Sequence, residues 1–335
     1  MFAFDLKLIS KYRGALMGMA MLSILLGHYH GLSGGSHWKM TDILCSVFPG
    51  LFMSETFLFL SGFGLYYAYN KRTSLKDFYR RRVNRLLLPF FLISLPFFLY
   101  TWYVGNITSL QLVGYLSTVS FWIEGNYYSM WYIALSAFLY AIFPIIYNII
   151  FSGKNIGWRF VFFLFIIYSL IFLLKYYSPN YYNITAIGVS QIPAFIIGVV
   201  FGYLSCSNNN KWSIYKIFLF LLLPLISVKL LSFYFSDIVF CVKLMQRIVG
   251  IVFFCILLEL RWIKTGLGGA IYALDFVGTL TLEIYVCHLL LFYLIKDIGM
   301  IENTHIIVIA IIITLIISYP VHILINKAIN SLNNI

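Results

Sequence analysis

FLFLSGFGLYYAYNKRTSLKDFYRRRVNRLLLP, residues 57–89, joins an apolar run to a basic cluster and then to the start of a second apolar run. Seven of the fifteen residues from Lys71 to Arg85 are Lys or Arg. A cluster that basic between two membrane spans marks the cytoplasmic face, because short loops rich in Lys and Arg stay inside. It also offers a site for a polyanion at that face.

The rest of the chain fits a membrane setting. Hydrophobic residues make up 62% of it, charged residues only 10%, and the mean hydropathy is +0.92. A soluble domain keeps roughly a quarter of its residues charged. Apolar stretches recur at lengths that span a bilayer, about 20 residues each. The expectation is an all-α, polytopic membrane helical bundle forming a single transmembrane domain over residues 1–335, with no separate soluble domain. Phe2 to Arg13 is short and mixed, and no small-residue cleavage site follows the first apolar run, so no cleavable signal peptide is expected. The five cysteines (Cys45, Cys206, Cys241, Cys255, Cys287) lack disulfide or metal spacing and read as packing residues.

Ten candidate spans follow, near residues 14–32, 43–69, 86–103, 129–150, 160–176, 184–205, 214–232, 239–260, 270–295 and 305–325. With both termini in the cytoplasm, the inner segments hold 17 of the 23 basic residues and the outer loops only Lys39, Lys175 and Lys296. That asymmetry supports ten spans with N- and C-termini inside. The net charge of +12 is then mostly topological. Nucleic-acid binding would need a basic face on a soluble domain, and no such domain is expected.

Polar residues inside spans are costly and tend to be functional. The first span ends in Gly27-His28-Tyr29-His30. His28 lies about 22 Å along a helix from Arg13, at 1.5 Å per residue. That places it in the outer half of the membrane, where a neutral imidazole could take a proton from a hydroxyl or could simply cap a helix end. Glu55 in the second span needs a partner, whereas Ser61, Gly62 and Gly64 read as helix-packing residues. The ninth span carries Asp275, Glu283 and His288. Asp275 and Glu283, eight residues apart, would lie within about 80° on one helix. Gln246-Arg247 in the eighth span is another costly pair. Each of these charges could belong to a structural ion pair.

The cluster from Lys71 to Arg85 can anchor the chain to anionic lipid. It can also recognise phosphate, because Arg82 and Arg85 would share a helix face, beside Arg81, and guanidinium forks match phosphate oxygens.

Four pieces, in order, resemble the acyltransferase 3 family of integral membrane O-acyltransferases. Leu16 to His28 is similar to the family's first span, which ends in its key histidine. Glu55 through Phe63 is similar to its acidic residue followed by an aromatic run and Ser-Gly-Phe. Phe78 to Arg85 with Pro89 is similar to its arginine-rich cytoplasmic motif. Leu282 to His288 is similar to its late Glu-Ile-Tyr and His segment. Met130-Trp131-Tyr132-Ile133 and Pro144 also fit the fourth span. The resemblance covers nearly the whole length, and the order and spacing carry it. One position departs: the family often has an arginine eleven residues before its key histidine, and here that residue is Met17. Arg13, one turn earlier, falls within roughly 60° of His28 on the wheel. Either Arg13 substitutes for the missing arginine, or the departure marks altered donor handling.

The resemblance implies transfer of an acyl group, most often acetyl, from cytoplasmic acyl-CoA to a hydroxyl of a surface or exported glycan. It implies Arg13, Arg81, Arg82 and Arg85 as donor-binding residues. His28 would act as general base with Glu55 or Glu283 orienting it, and Trp131 and His288 would contact substrate. No permanently bound cofactor and no metal are expected. The partners expected are acetyl-CoA or another acyl-CoA, the glycan and membrane lipids. The many Ile, Lys, Asn, Phe and Tyr residues fit an AT-rich bacterial genome, hence a bacterial cytoplasmic (inner) membrane. The rival reading is a transporter or flippase of a glycan or lipid-linked sugar. It would call for an internal repeat or paired broken helices, and no convincing repeat is visible.

Overall fold

The computed structural model describes residues 3–32, 47–71, 74–125, 130–207, 210–233, 239–300 and 303–333. Lys39, Cys45 and Arg72 lie outside the described residues. The principal helices are α1 (Arg13–Leu32), α2 (Ser54–Asn70), α3 (Leu75–Tyr103), α4 (Trp131–Phe151), α5 (Ile156–Tyr177), α6 (Pro179–Val189), α7 (Ile192–Cys206), α8 (Val239–Glu259), α9 (Gly268–Thr279), α10 (Thr281–Asp297) and α11 (Thr304–Asn333).

Among the described residues, seven helices are long and apolar enough to cross a membrane, and eight if the bent pair α9–α10 is one span. The protein is a multi-pass, helical membrane protein. The first and seventh expected spans also form helices, over Arg13–Leu32 and residues 214–231, but stand outside that number. Arg13, His28 and His30 lower the hydropathy of α1. Only 6% of the apolar window of α5 is buried against protein. Phe162, Phe165, Leu170 and Phe172 are exposed there, as lipid-facing side chains would be.

The chain divides into two compact units, Met1–Asn70 with Ala194–Thr281, and Lys71–Pro193 with Leu282–Ile335. In the first, residues of closest approach are glycines. A Cβ on Gly18 of α1 would collide with the Leu274 carbonyl of α9, and one on Gly278 with the carbonyl of Gly14. On α2 and α7, Gly62 meets the Phe195 carbonyl and Gly198 the Phe59 carbonyl. Lipid supplies little hydrophobic drive for helix association, so close backbone approach has to supply it through packing. The reading of Gly62 as a packing residue holds. A short antiparallel strand pair, Ala3–Asp5 with Lys211–Ser213, ties the start of the chain to this unit in register Phe4↔Trp212. No periodicity announced it.

In the second unit, α3 begins eleven residues before the expected span. Ser74 caps it: its Oγ accepts from the Asp77 backbone N–H (3.1 Å) and donates to Asp77 Oδ2 (2.7 Å). The pattern Ser-x-x-Asp is a helix start, so most of the basic cluster is helix rather than connector. A π-helical stretch, Val83–Leu87, interrupts α3, and the Leu88 N–H bonds to the Val83 carbonyl. Pro89 lies two residues beyond it and would clash with the carbonyl of residue 85 in a regular α-helix. The same arrangement recurs in the first unit, where Phe218–Leu222 is π-helical and Pro224 follows. The ninth expected span is likewise corrected: it breaks at Leu280 and bends by 67°. Asp275 and Glu283 therefore do not share a helix face.

The glycine seam predicts that Gly18→Val costs about 1–3 kcal/mol by overpacking. It should lower the melting temperature in detergent, whereas Gly31→Ala, with nothing within 4 Å of the added carbon, should leave it unchanged.

Candidate functional site

In the first unit α1 and α2 run antiparallel. The Arg13 guanidinium lies beside Gly64, with its central carbon 3.2 Å from where a Cβ would stand. At the other end Gly27 packs on Met53 and Pro49. His28, next to Gly27, is exposed near the end of α1. Arg13 and His28 thus sit at opposite ends of one helix, and Arg13 is set against the Ser-Gly-Phe-Gly segment.

Glu55 opens α2, and its carboxylate faces Arg247 of α8, with Oε2 3.6 Å from Nε. Arg247 is buried and Glu55 partly so, their side chains 8% and 13% exposed. Glycine again permits the approach: a Cβ on Gly250 would stand only 2.8 Å from the Leu51 carbonyl oxygen, and Phe254 packs edge-on against Phe52 at 5.5 Å. Among the described residues, Arg247 Nε and Nη1 and Glu55 Oε2 have no hydrogen-bond partner. Tyr12 donates to Glu259 (2.7 Å) at the far end of α8.

The second unit holds the arginine segment. Arg82 is half-buried, its guanidinium 5.6 Å from the Phe78 ring and 6.0 Å from the Tyr140 ring. Phe78 in turn stacks on Phe143 at 5.8 Å, and Tyr79 donates to the Ala141 carbonyl (2.9 Å). Cation–aromatic attraction holds such a guanidinium near the rings. Arg81 is half-buried and Arg85 exposed. Because Arg85 lies within the π-helical stretch that follows Arg82, the two lose the i,i+3 registry expected of a regular helix. Arg80 pairs with Asp77 at the surface (3.3 Å).

Further along this unit, Glu283 and His288 face different partners. Glu283, 5% exposed, meets His322 Nδ1 of α11 through Oε1 at 2.7 Å. His322 Nε2 lies 2.9 Å from Asn326 Nδ2. The imidazole therefore donates from Nδ1 to Glu283 and accepts from Asn326 at Nε2. His288 is fully buried, and its Nδ1 lies 2.8 Å from the Ile284 carbonyl one turn back. An aromatic chain joins it to the start of α4: His288 to Tyr285 (5.7 Å), Tyr285 to Tyr132 (5.5 Å) and Tyr132 to Trp131 (6.0 Å). The structure so brings together Trp131 and His288 through two tyrosines. The two carboxylates expected to orient His28 face Arg247 and His322 instead. His322 and Asn326 were missed by sequence reasoning. A histidine in the last apolar helix, two residues after Pro320, was the available signal. Among the described residues, no group of three His, Cys, Asp or Glu side chains is placed to hold a metal ion.

A protein-family model, described as an acyltransferase domain, matches residues 15–323 and so runs across both units. No curated protein and no solved structure matches the chain.

The buried pair in the first unit gives a stability prediction. Glu55→Leu alone leaves a buried guanidinium uncompensated and should cost about 3–5 kcal/mol. The double variant Glu55→Leu/Arg247→Met removes both charges and should recover most of that loss, read as thermal melts in detergent.

Proposed function

The chain belongs to this acyltransferase family, and from that premise we propose that it moves an acyl group, acetyl foremost, from cytoplasmic acyl-coenzyme A to a hydroxyl of a surface or exported glycan. It does so as one catalytic domain in a bacterial cytoplasmic membrane. The observation that carries the donor assignment is the seating of Arg82 against Phe78 and Tyr140 with Arg85 exposed beyond it. A guanidinium seated near two rings is held in place for a ligand, and coenzyme A presents a pyrophosphate and a further phosphate to such a fork. Arg81 and Arg13 add positive charge for the same donor, and Trp131 with His288 lines the substrate path.

The reaction then follows ordinary acyl-transfer chemistry. His28 accepts the proton of the acceptor hydroxyl. The hydroxyl oxygen attacks the thioester carbonyl, the carbon–sulfur bond breaks, and the departing thiolate takes the proton back from the imidazolium. General-base help of this kind contributes roughly 10²–10⁴ in rate. Since Glu55 and Glu283 hold Arg247 and His322, neither is assigned to orient His28.

Two measurements test this reading. Arg82→Ala should weaken acetyl-CoA binding by about 10- to 100-fold, the loss of one or two charged hydrogen bonds. Arg80→Ala, a surface residue paired with Asp77, should bind as wild type does. Equal affinity in the two variants would reduce the segment to a lipid anchor. Separately, His28→Ala should lose labelled-acetyl transfer while still binding donor. A glycan transporter would bind no acyl-CoA in either assay.

A further inference from the structure

Acyl transfer through a tetrahedral intermediate places a full negative charge on the former carbonyl oxygen, and some donor must meet it. The proton acceptor assigned above does not provide one. Arg247 is the strongest candidate in the first unit. It is 6% exposed, and its Nε and Nη1 have no hydrogen-bond partner among the described residues. Buried charged donors are normally satisfied, so unused ones point to a ligand oxygen. Glu55, 3.6 Å away, fixes the direction of the guanidinium and leaves Nε and Nη1 unused.

Position supports the same role. His28 follows Gly27, which packs on Pro49 and Met53, while Arg247 lies one turn from Gly250, which packs on Leu51. The α1 backbone at Gly27 and the Arg247 side chain are therefore both set against residues 49–55, at the end of α2 away from Arg13. Glycine at 250 is what lets α8 come close to residue 51 there.

We propose that Arg247 is a catalytic residue, the oxyanion donor of the transfer, with Glu55 as its positioning residue. This rests on the acyltransferase reading with His28 as base. As the acceptor oxygen bonds to the thioester carbon, the carbon–oxygen π pair moves onto oxygen, and Arg247 donates N–H bonds to it. When the carbonyl re-forms, the carbon–sulfur bond breaks, coenzyme A leaves as thiolate, and His28 returns the proton to it. No proton leaves Arg247 at any stage.

The Glu55→Leu/Arg247→Met double variant tests the proposal, because apolar replacement of a buried ion pair commonly preserves folding. The expected result is a cooperative melt close to that of wild type, unchanged acetyl-CoA affinity, and turnover lower by about 10²–10³-fold. A second signature is electronic: fluoroacetyl-CoA, whose carbonyl needs less help, should outpace acetyl-CoA by a larger ratio in the variant than in wild type. Wild-type turnover in the folded double variant would overturn the proposal and leave the pair purely structural. If that variant does not fold, Glu55→Gln/Arg247→Gln keeps a hydrogen-bonded pair without the guanidinium, and the same two readouts decide. Full activity of His28→Ala beside a dead Arg247 variant would remove the base yet keep the oxyanion donor. Failure of the wild-type protein to consume acetyl-CoA would overturn both.

Discussion

A charge carried into an apolar phase has to find an opposite charge or a strong hydrogen bond, since the isolated ion would cost many kcal/mol. This chain places Glu55 and Arg247 on two helices of one unit, and Glu283 and His322 on two helices of the other. Those pairs set which helix faces meet. Glycines let the backbones approach: Gly250 at Leu51 brings α8 within reach of Glu55, while Gly62 at Phe195 and Gly18 at Leu274 seat α2 on α7 and α1 on α9. Replacing such a pair by apolar residues can leave stability intact, so the persistence of unused donors on Arg247 calls for a chemical explanation rather than a structural one.

The arginine segment shows a second constraint. It has to serve as a helix and as a ligand-facing surface at once. Ser74 caps the helix and Asp77 completes the first turn, so the cationic residues are carried on regular backbone up to Arg82. Pro89 forces the following turn open, and the π-helical stretch separates Arg85 from the half-buried face occupied by Arg82. Such bulges recur at functional positions because they redirect a side chain at small cost. Here the redirected side chain is an arginine.

Much of this was legible in the sequence. The 62% hydrophobic content and the spacing of apolar runs identified a multi-pass helical protein, and four ordered segments identified its family. Local patterns carry information too: Gly62 is a packing residue by its size, and Ser-x-x-Asp at Ser74 is a helix start that the surrounding basic charges mask. What stayed hidden was three-dimensional. That Glu55 faces Arg247, 192 positions later in the chain, follows from helix packing and not from spacing. The break at Leu280 separates Asp275 from Glu283 without a proline to announce it. His322 was overlooked because a lone histidine near the end of an apolar helix resembles an interfacial residue until its carboxylate partner is placed.

The central claim is that an acyl group leaves coenzyme A and becomes an ester on a glycan. It is tested most directly by supplying membranes containing the protein with acetyl-CoA labelled separately in the acetyl group and in the coenzyme. The account predicts that the acetyl label enters an alkali-labile ester on the glycan while an equal amount of free coenzyme A thiol appears. Glycan crossing the membrane with neither label moving would contradict it.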